Sequence, residues 1–372
     1  MTSDTSPRET ARTRVSVQIL TEADHRIALV TFIAAPGAPV TWTPAALAEL
    51  HDAVTALAAV ELSAVAFVGS GSSFGAGADI AGFLHALAPA DGERIAREGY
   101  AALNAISGLG VPTFAFVNGA ALGGALELAL RCDYRAVAAG TRAIGLPEVR
   151  LGLIPGWGGL ASLCSLVGVE TTAEIALVRS FSARHLNASE SLRFGVTDVI
   201  LPSEDFLAAS LGWAGQVLDG TVTVGRGTGV STIWSAETAR ASITRRIPAP
   251  LPAVEACLDL LTTWQSSAAA LPSDVADRPL ARLVSTDPIE DPTVRAFGAL
   301  LHTDECRASL YSFFTLQAAR KRSRPPVALS ASSSPPRGAP TCGASTRVGV
   351  IGGGLMACQL AVLFADRLNA AV

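Results

Sequence analysis

Apolar residues fall along this chain in two rhythms, and the change between them marks its organisation. "VSVQIL" and "RIALVTFIA" are rich in β-branched residues and read as two strands. "TPAALAELHDAVTALAA" has apolar residues at helical spacing, Thr43 as a cap and Pro44 at the first helical position, so it predicts a helix. "SAVAFVGSG", "VPTFAFVNG" and "YRAVAAG" are continuous apolar runs ending in small or turn residues, the mark of fully buried strands. The second leads directly into a helix, "GGALELALRCD". Buried strands alternating with helices predict an α/β arrangement with its working loops at the strand ends.

After about residue 205 the strand runs stop. "AVEACLDLLTTWQSSAAAL" and "PTVRAFGALLHTDECRASLYSFFTLQAARKR" are helical by period. The pattern predicts a disordered N-terminus over 1–14, an α/β domain over 15–205 and a helical region over 206–322. Residues 323–346, "SRPPVALSASSSPPRGAPTCGAST", form a Pro/Ser linker too polar and too broken to order itself. Residues 347–372 form a short final segment.

Composition narrows the classes. Hydrophobic residues make up 49% of the 372 positions and charged residues 16%, so most of the chain should pack. A net charge of -4 gives no global attraction to nucleic acid. Lys321 is the single lysine, which leaves anionic ligands to arginines or backbone N–H groups. The six cysteines lack CxxC spacing and the histidines are isolated, so no metal site is expected. Leu109 to Leu130 is strongly apolar but holds Pro112, Asn118 and Glu127, which argues against a membrane span. The polar N-terminus lacks the apolar core of a secretory signal, so a cytoplasmic protein is expected.

Three stretches carry the candidate chemistry: "GSGSSFGAGADIAGF" (69–83), "VNGAALGGALELALRCD" (117–133) and "LPEVRLGLIPGWGG" (146–159). In the first two, a buried strand ends in small residues at a turn or helix start. Such a start presents unpaired N–H groups and the positive end of a dipole, and two converging N–H groups make an oxyanion hole. Tight strand–helix packing by small residues would leave the same trace. Glu127 lies inside "ALELAL", where an unpaired carboxylate is costly. Glu148 follows Pro147 at the mouth of another apolar segment. Two carboxylates in one apolar pocket can act as general acid and base on a shared water. Ion pairs with arginines such as Arg131 or Arg150 would explain them equally well.

Taken together, these stretches resemble the crotonase (enoyl-CoA hydratase/isomerase) superfamily. "FGAGADI" is similar to its F-x-A-G-A-D-I loop, "NGAALGGALELALRCD" to its glycine-rich helix, and "PEVRLGLIPGWGG" to its P-E-x-x-x-G-x-x-P-G-x-G-G turn. "SESLRFGVTDVI" (189–200) is similar to a fourth segment. The resemblance implies a crotonase (ClpP-like) ββα spiral core. It also implies oxyanion N–H groups at Ala78 and Gly124, catalytic glutamates at Glu127 and Glu148, and substrate contacts at Ala76, Gly77, Asp79, Ile80, Gly123, Pro147, Pro155 and Trp157. The implied reaction is cofactor-free addition of water to a 2-trans-enoyl-CoA in fatty acid β-oxidation. The alternatives are a crotonase-fold isomerase and an acyl-CoA-binding fragment with impaired catalysis. Ala125 stands where the family's helix has a third glycine, and Ala81 where relatives often have lysine. Family habits imply a homotrimer or a thiolase subunit as partner.

"RVGVIGGGLMA" adds G-x-G-x-x-A at Gly352, Gly354 and Ala357, after a strand and before a helix. With the segments before it, the order resembles the fused hydratase/3-hydroxyacyl-CoA dehydrogenase of the fatty-acid oxidation alpha subunits. A βαβ unit needs about 30 residues or more, and the ribose-binding acid should lie about 20 residues past the motif. The segment ends at Val372. These residues therefore read as an incomplete, vestigial start of an NAD-binding Rossmann domain, without dehydrogenase activity.

Overall fold

The computed structural model describes residues 13–36, 38–86, 88–225, 235–245, 251–268 and 291–322. Strands β1 (Arg14–Glu22) and β2 (His25–Ile33) form an antiparallel hairpin, and β2 pairs in parallel with β3 (Ala64–Gly69). The chain then repeats one manoeuvre. After β3 it turns into a short strand, β4 (Ser73–Gly75); after β5 (Thr113–Val117) it turns into β6 (Ala120–Leu122); after β7 (Tyr134–Ala138) it turns into β8 (Ile144–Gly145). A last strand, β9 (Val199–Leu201), closes the row. The long strands form one sheet in the order β1-β2-β3-β5-β7-β9, and the short ones a second sheet in the order β4-β6-β8.

The turns between the sheets demand glycine. A Cβ on Gly69 would overlap the Ser73 carbonyl, and one on Gly119 the Ser72 carbonyl. Asn118 fastens the two turns together: its Nδ2 donates to the carbonyls of Gly69 (2.7 Å) and Gly71 (2.9 Å), and its Oδ1 accepts the Gly69 N–H at 3.2 Å.

Helices follow the strands. They are α1 (Pro44–Leu57), α2 (Pro89–Ser107), α3 (Gly124–Arg131), α4 (Gly159–Val167), α5 (Val169–Ala173), α6 (Ala188–Arg193) and α7 (Phe206–Leu218). Past these come α8 (Ala236–Thr244), α9 (Pro252–Ala268), α10 (Pro292–Leu301) and α11 (Asp304–Arg322). Thr43 caps α1 as its sequence predicts, its Oγ1 accepting the Ala46 N–H at 3.2 Å. Alternate residues of the large sheet point to opposite faces. Val30, Phe32, Phe67 and Val117 pack with α1, α2 and α3, whereas Leu29, Ala66, Phe114 and Phe116 pack under α7. Both faces are therefore covered, and the strands read as unbroken apolar runs for that reason. Arg135 on β7 is buried; it faces Asp198 at 3.5 Å and donates to the Val196 carbonyl at 3.0 Å, tying β7 to the approach to β9.

The architecture is the α/β, ββα-repeating core followed by helices that the sequence predicts. Three features differ in detail. The helix over 124–131 does not follow its strand directly, because β6 intervenes. Helix α2 has no counterpart in the sequence reading. The helical stretch 292–322 is two helices, broken at His302 and Thr303, where the Thr303 hydroxyl accepts the Cys306 N–H at 3.1 Å. Cys132, Cys164, Cys257 and Cys306 are buried free thiols, and burial pushes each of them up. No helix among the described residues is long and apolar enough to cross a membrane. The residues up to Ala319 make one compact unit, and of the second only 320–322 are described. The expected linker over 323–346 and the nucleotide motif at Gly352, Gly354 and Ala357 lie outside the described residues.

Candidate active site

The small sheet delivers the chemistry. The β6–β8 pairing ends with the Gly123 N–H donating to the Gly145 carbonyl at 2.9 Å. Pro147 and Glu148 follow β8 immediately, so Glu148 arrives beside the start of α3. A Cβ on Gly123 would lie 2.7 Å from Glu148 Oε1. Gly123 also needs its positive φ of 55° to launch the helix.

Two backbone N–H groups point at this place without an acceptor among the described residues. Trp42 donates to the Gly77 carbonyl and accepts from the Asp79 N–H, both at 2.9 Å. Ala78 lies between these partners in the parallel bridge, so its own N–H faces the other way. Gly124 is the first residue of α3, where an N–H has no acceptor within the helix. Gly77, at φ +94°, joins the two: a Cβ there would lie 3.3 Å from the Gly124 nitrogen and 2.9 Å from the Leu122 carbonyl oxygen. Gly77 thus brings the Ala78 turn and the start of α3 close together.

Glu127 stands one turn into α3 and is 2% exposed. Its Oε1 accepts the N–H groups of Trp157 (2.9 Å) and Gly159 (2.8 Å). Burial pushes its carboxyl up to about 7, against the opposing pull of those two N–H groups and of the Arg131 charge. The ion pairs weighed from sequence thus give way to backbone donors as the primary partners. Arg131 instead lies 4.9 Å from the centre of the Tyr100 ring and donates to the Trp157 carbonyl at 3.1 Å. Glu148 is half-buried as a residue, yet its Oε2 is fully occluded and has no hydrogen-bond partner among the described residues. Burial, and then the nearby Glu127 charge, hold its carboxyl well above the usual range. Both carboxyls are thus raised and linked, so ionising one makes it harder to ionise the other.

A cavity of about 120 Å³ opens next to the Ala78 amide, walled by Trp42, Leu47, Phe83, Ile95 and Trp157. Asp79 lines it too, whereas neither glutamate does. Of the other residues singled out from sequence, Gly77, Gly123 and Gly124 meet at the helix start and Pro147 sets Glu148. Ala76 donates its N–H to the Val40 carbonyl at 2.8 Å. Ile80 packs on the core, and Pro155 is buried in the loop before Trp157. Ala76, Ile80, Pro147 and Pro155 do not line the cavity. Sequence reasoning missed α2, which supplies Arg94, Ile95 and Glu98 to the wall. Its signal was present: Pro89 opens it, and the buried Ala96, Tyr100 and Leu103 fall at helical spacing.

Residues 22–226 match the model of the enoyl-CoA hydratase/isomerase family. The chain belongs to that family. A crotonyl-CoA hydratase of Syntrophomonas wolfei subsp. wolfei is 37% identical over 204 residues, which cover 54% of this chain and 75% of that protein. The fatty acid oxidation complex subunit alpha of Shewanella loihica is 38% identical over 145 residues, 38% of this chain but only 20% of that longer protein. Among solved structures, human mitochondrial delta3-delta2-enoyl-CoA isomerase matches with a TM-score of 0.55 at 20% identity, covering 83% of this chain and 99% of that one. Likeness at that identity concerns the fold alone. As a member of the enoyl-CoA hydratase/isomerase family, the chain has its candidate site where the ββα repeat brings the two glycine-rich starts and the two glutamates together.

Proposed function

We propose that this chain adds water to a 2-trans-enoyl-CoA, giving a 3-hydroxyacyl-CoA. The observation that carries the reading is the unlike pair, Glu127 and Glu148, beside the two free N–H groups. The thioester oxygen accepts hydrogen bonds from the N–H groups of Ala78 and Gly124, which draws electron density from the conjugated double bond. Glu127, steadied by the Trp157 and Gly159 N–H groups, holds a water and takes its proton as oxygen bonds to C3. Glu148, whose carboxyl is held above the usual range, delivers a proton to C2 as the enolate-like thioester collapses, and a proton passed from Glu127 back to Glu148 restores the pair. One water is consumed, its hydroxyl on C3 and a proton on C2. No electrons are exchanged with a cofactor.

The family includes isomerases, and the substrate separates the two activities. Purified chain is given crotonyl-CoA and, separately, a 3-enoyl-CoA. The reading expects the absorbance of the conjugated enoyl thioester to disappear from the first, with 3-hydroxybutyryl-CoA formed. Turnover of the 3-enoyl substrate alone, or of neither, contradicts it. The same reading proposes a cytoplasmic enzyme and, from family habits, a homotrimer or a thiolase subunit as partner; sedimentation of the pure chain tests the homotrimer.

A further inference from the structure

We propose that the Trp157 indole is an end wall for the acyl chain and confines the enzyme to short 2-enoyl-CoA substrates of about four to six carbons. The inference rests on the hydratase reading and adds a specificity-determining residue to it.

Trp157 has two separate jobs in one residue. Its backbone is pinned to the reacting groups: the N–H holds Glu127 Oε1 and the carbonyl accepts from Arg131. Its side chain is 4% exposed and fills space that two glycines leave open. A Cβ on Gly124, at the start of α3, would overlap the six-membered ring of the indole. A Cβ on Gly99 would overlap the five-membered ring. Gly99 lies inside α2, where glycine is less stable than alanine, so a helical reason for it is lacking. The indole supplies the reason. Room for it has been made on both sides.

The ring has little freedom to withdraw. Phe297 of α10 packs against the preceding residue, where a Cβ on Gly156 would meet its ring at 2.8 Å, and Phe297 meets Phe83 edge-on with ring centres 5.7 Å apart. Trp157 and Phe83 both wall the cavity beside the Ala78 amide. That cavity measures about 120 Å³. Partly open at the Arg94 and Glu98 side, it still offers less enclosed space than the dry cavity of about 150 Å³ that takes up one benzene, six carbons. The indole borders both this pocket and Gly124, so an acyl chain whose thioester sits at Ala78 and Gly124 runs against it.

The test measures kcat/KM for crotonyl-, 2-hexenoyl- and 2-decenoyl-CoA with the wild type, Trp157→Ala and Trp157→Phe. The wild type is expected to lose at least about tenfold between crotonyl- and decenoyl-CoA, the scale on which a pocket rejects added methylenes. Trp157→Ala should raise the decenoyl/crotonyl ratio by about tenfold or more, and Trp157→Phe by less. If Trp157→Ala does not fold, judged by its thermal transition, the Phe variant and the wild-type profile carry the test. Crotonyl hydration with a flat chain-length profile, or with a ratio unmoved by substitution, overturns the inference and leaves the hydratase reading standing. Absence of hydration of all three substrates by the wild type overturns both.

Discussion

Glu127 Oε1 accepts the backbone N–H of Trp157 at 2.9 Å, across a loop that begins beyond Glu148. Because the donor is backbone, no substitution at Trp157 short of proline removes the N–H itself. The bond sets where the carboxylate points, and the Gly159 N–H at 2.8 Å fixes it from a second direction. Glu148 receives no such help at Oε2. Burial raises both carboxyls, and the two N–H groups oppose it at Glu127 whereas the Glu127 charge adds to it at Glu148.

The first consequence is a pH profile. Glu127 acts as base only when ionised, and burial has moved its titration up to about 7. The kcat/KM for crotonyl-CoA should therefore fall about tenfold per pH unit below about 7. It should fall again on the alkaline side once Glu148, itself held up by burial and by the Glu127 charge, loses its proton. A profile flat down to the ordinary glutamate range would contradict the assignment.

The second concerns stability. A carboxyl whose folded pKa is raised binds more protons folded than unfolded between the two values, so stability falls as pH rises through that window. For Glu127 the window runs from 4.5 to about 7. Glu127→Gln retains an acceptor for both N–H groups and abolishes the titration. The variant should gain stability relative to wild type on going from pH 5 to pH 8, by up to about 3 kcal/mol. Urea unfolding at the two pH values measures it. A variant that loses ground at the higher pH would refute the buried, pKa-raised carboxyl.

The third isolates the oxyanion geometry. Gly77→Ala places a Cβ 2.9 Å from the Leu122 carbonyl oxygen at a φ of +94°, and must shift the Ala78 N–H. Loss of one such donor lowers kcat on the order of 100- to 1,000-fold. Gly71→Ala also imposes a positive φ, +68°, but in open space. It should cost stability of about 1 kcal/mol and leave kcat near wild type. Equal kcat losses in both variants would mean that backbone strain, not the N–H position, is responsible.

How much of this was legible in the sequence depends on what carried the signal. β3 and β5 announced themselves because both faces of their sheet are buried, which leaves their runs almost wholly apolar; β7 was legible despite Arg135, whose charge is met by Asp198. Glu127 stood out because leucines flank it. The small sheet was illegible: its strands are two or three residues long, shorter than any period. The partners of Glu127 were illegible for another reason. Backbone N–H groups exist at every non-proline residue, so only the folded loop selects those of Trp157 and Gly159. The match of Gly99 to Trp157 joins distant segments of the chain, and neither residue alone suggests it.

The central claim is that Glu127 and Glu148 together hydrate the double bond. The most direct measurement is the crotonyl-CoA hydration rate of Glu127→Gln and Glu148→Gln, beside the wild type and with folding checked by circular dichroism. Each substitution keeps size and removes the proton transfer. The account predicts folded proteins with kcat lowered on the order of 100- to 10,000-fold in both. Folded variants that hydrate crotonyl-CoA at the wild-type rate would contradict it.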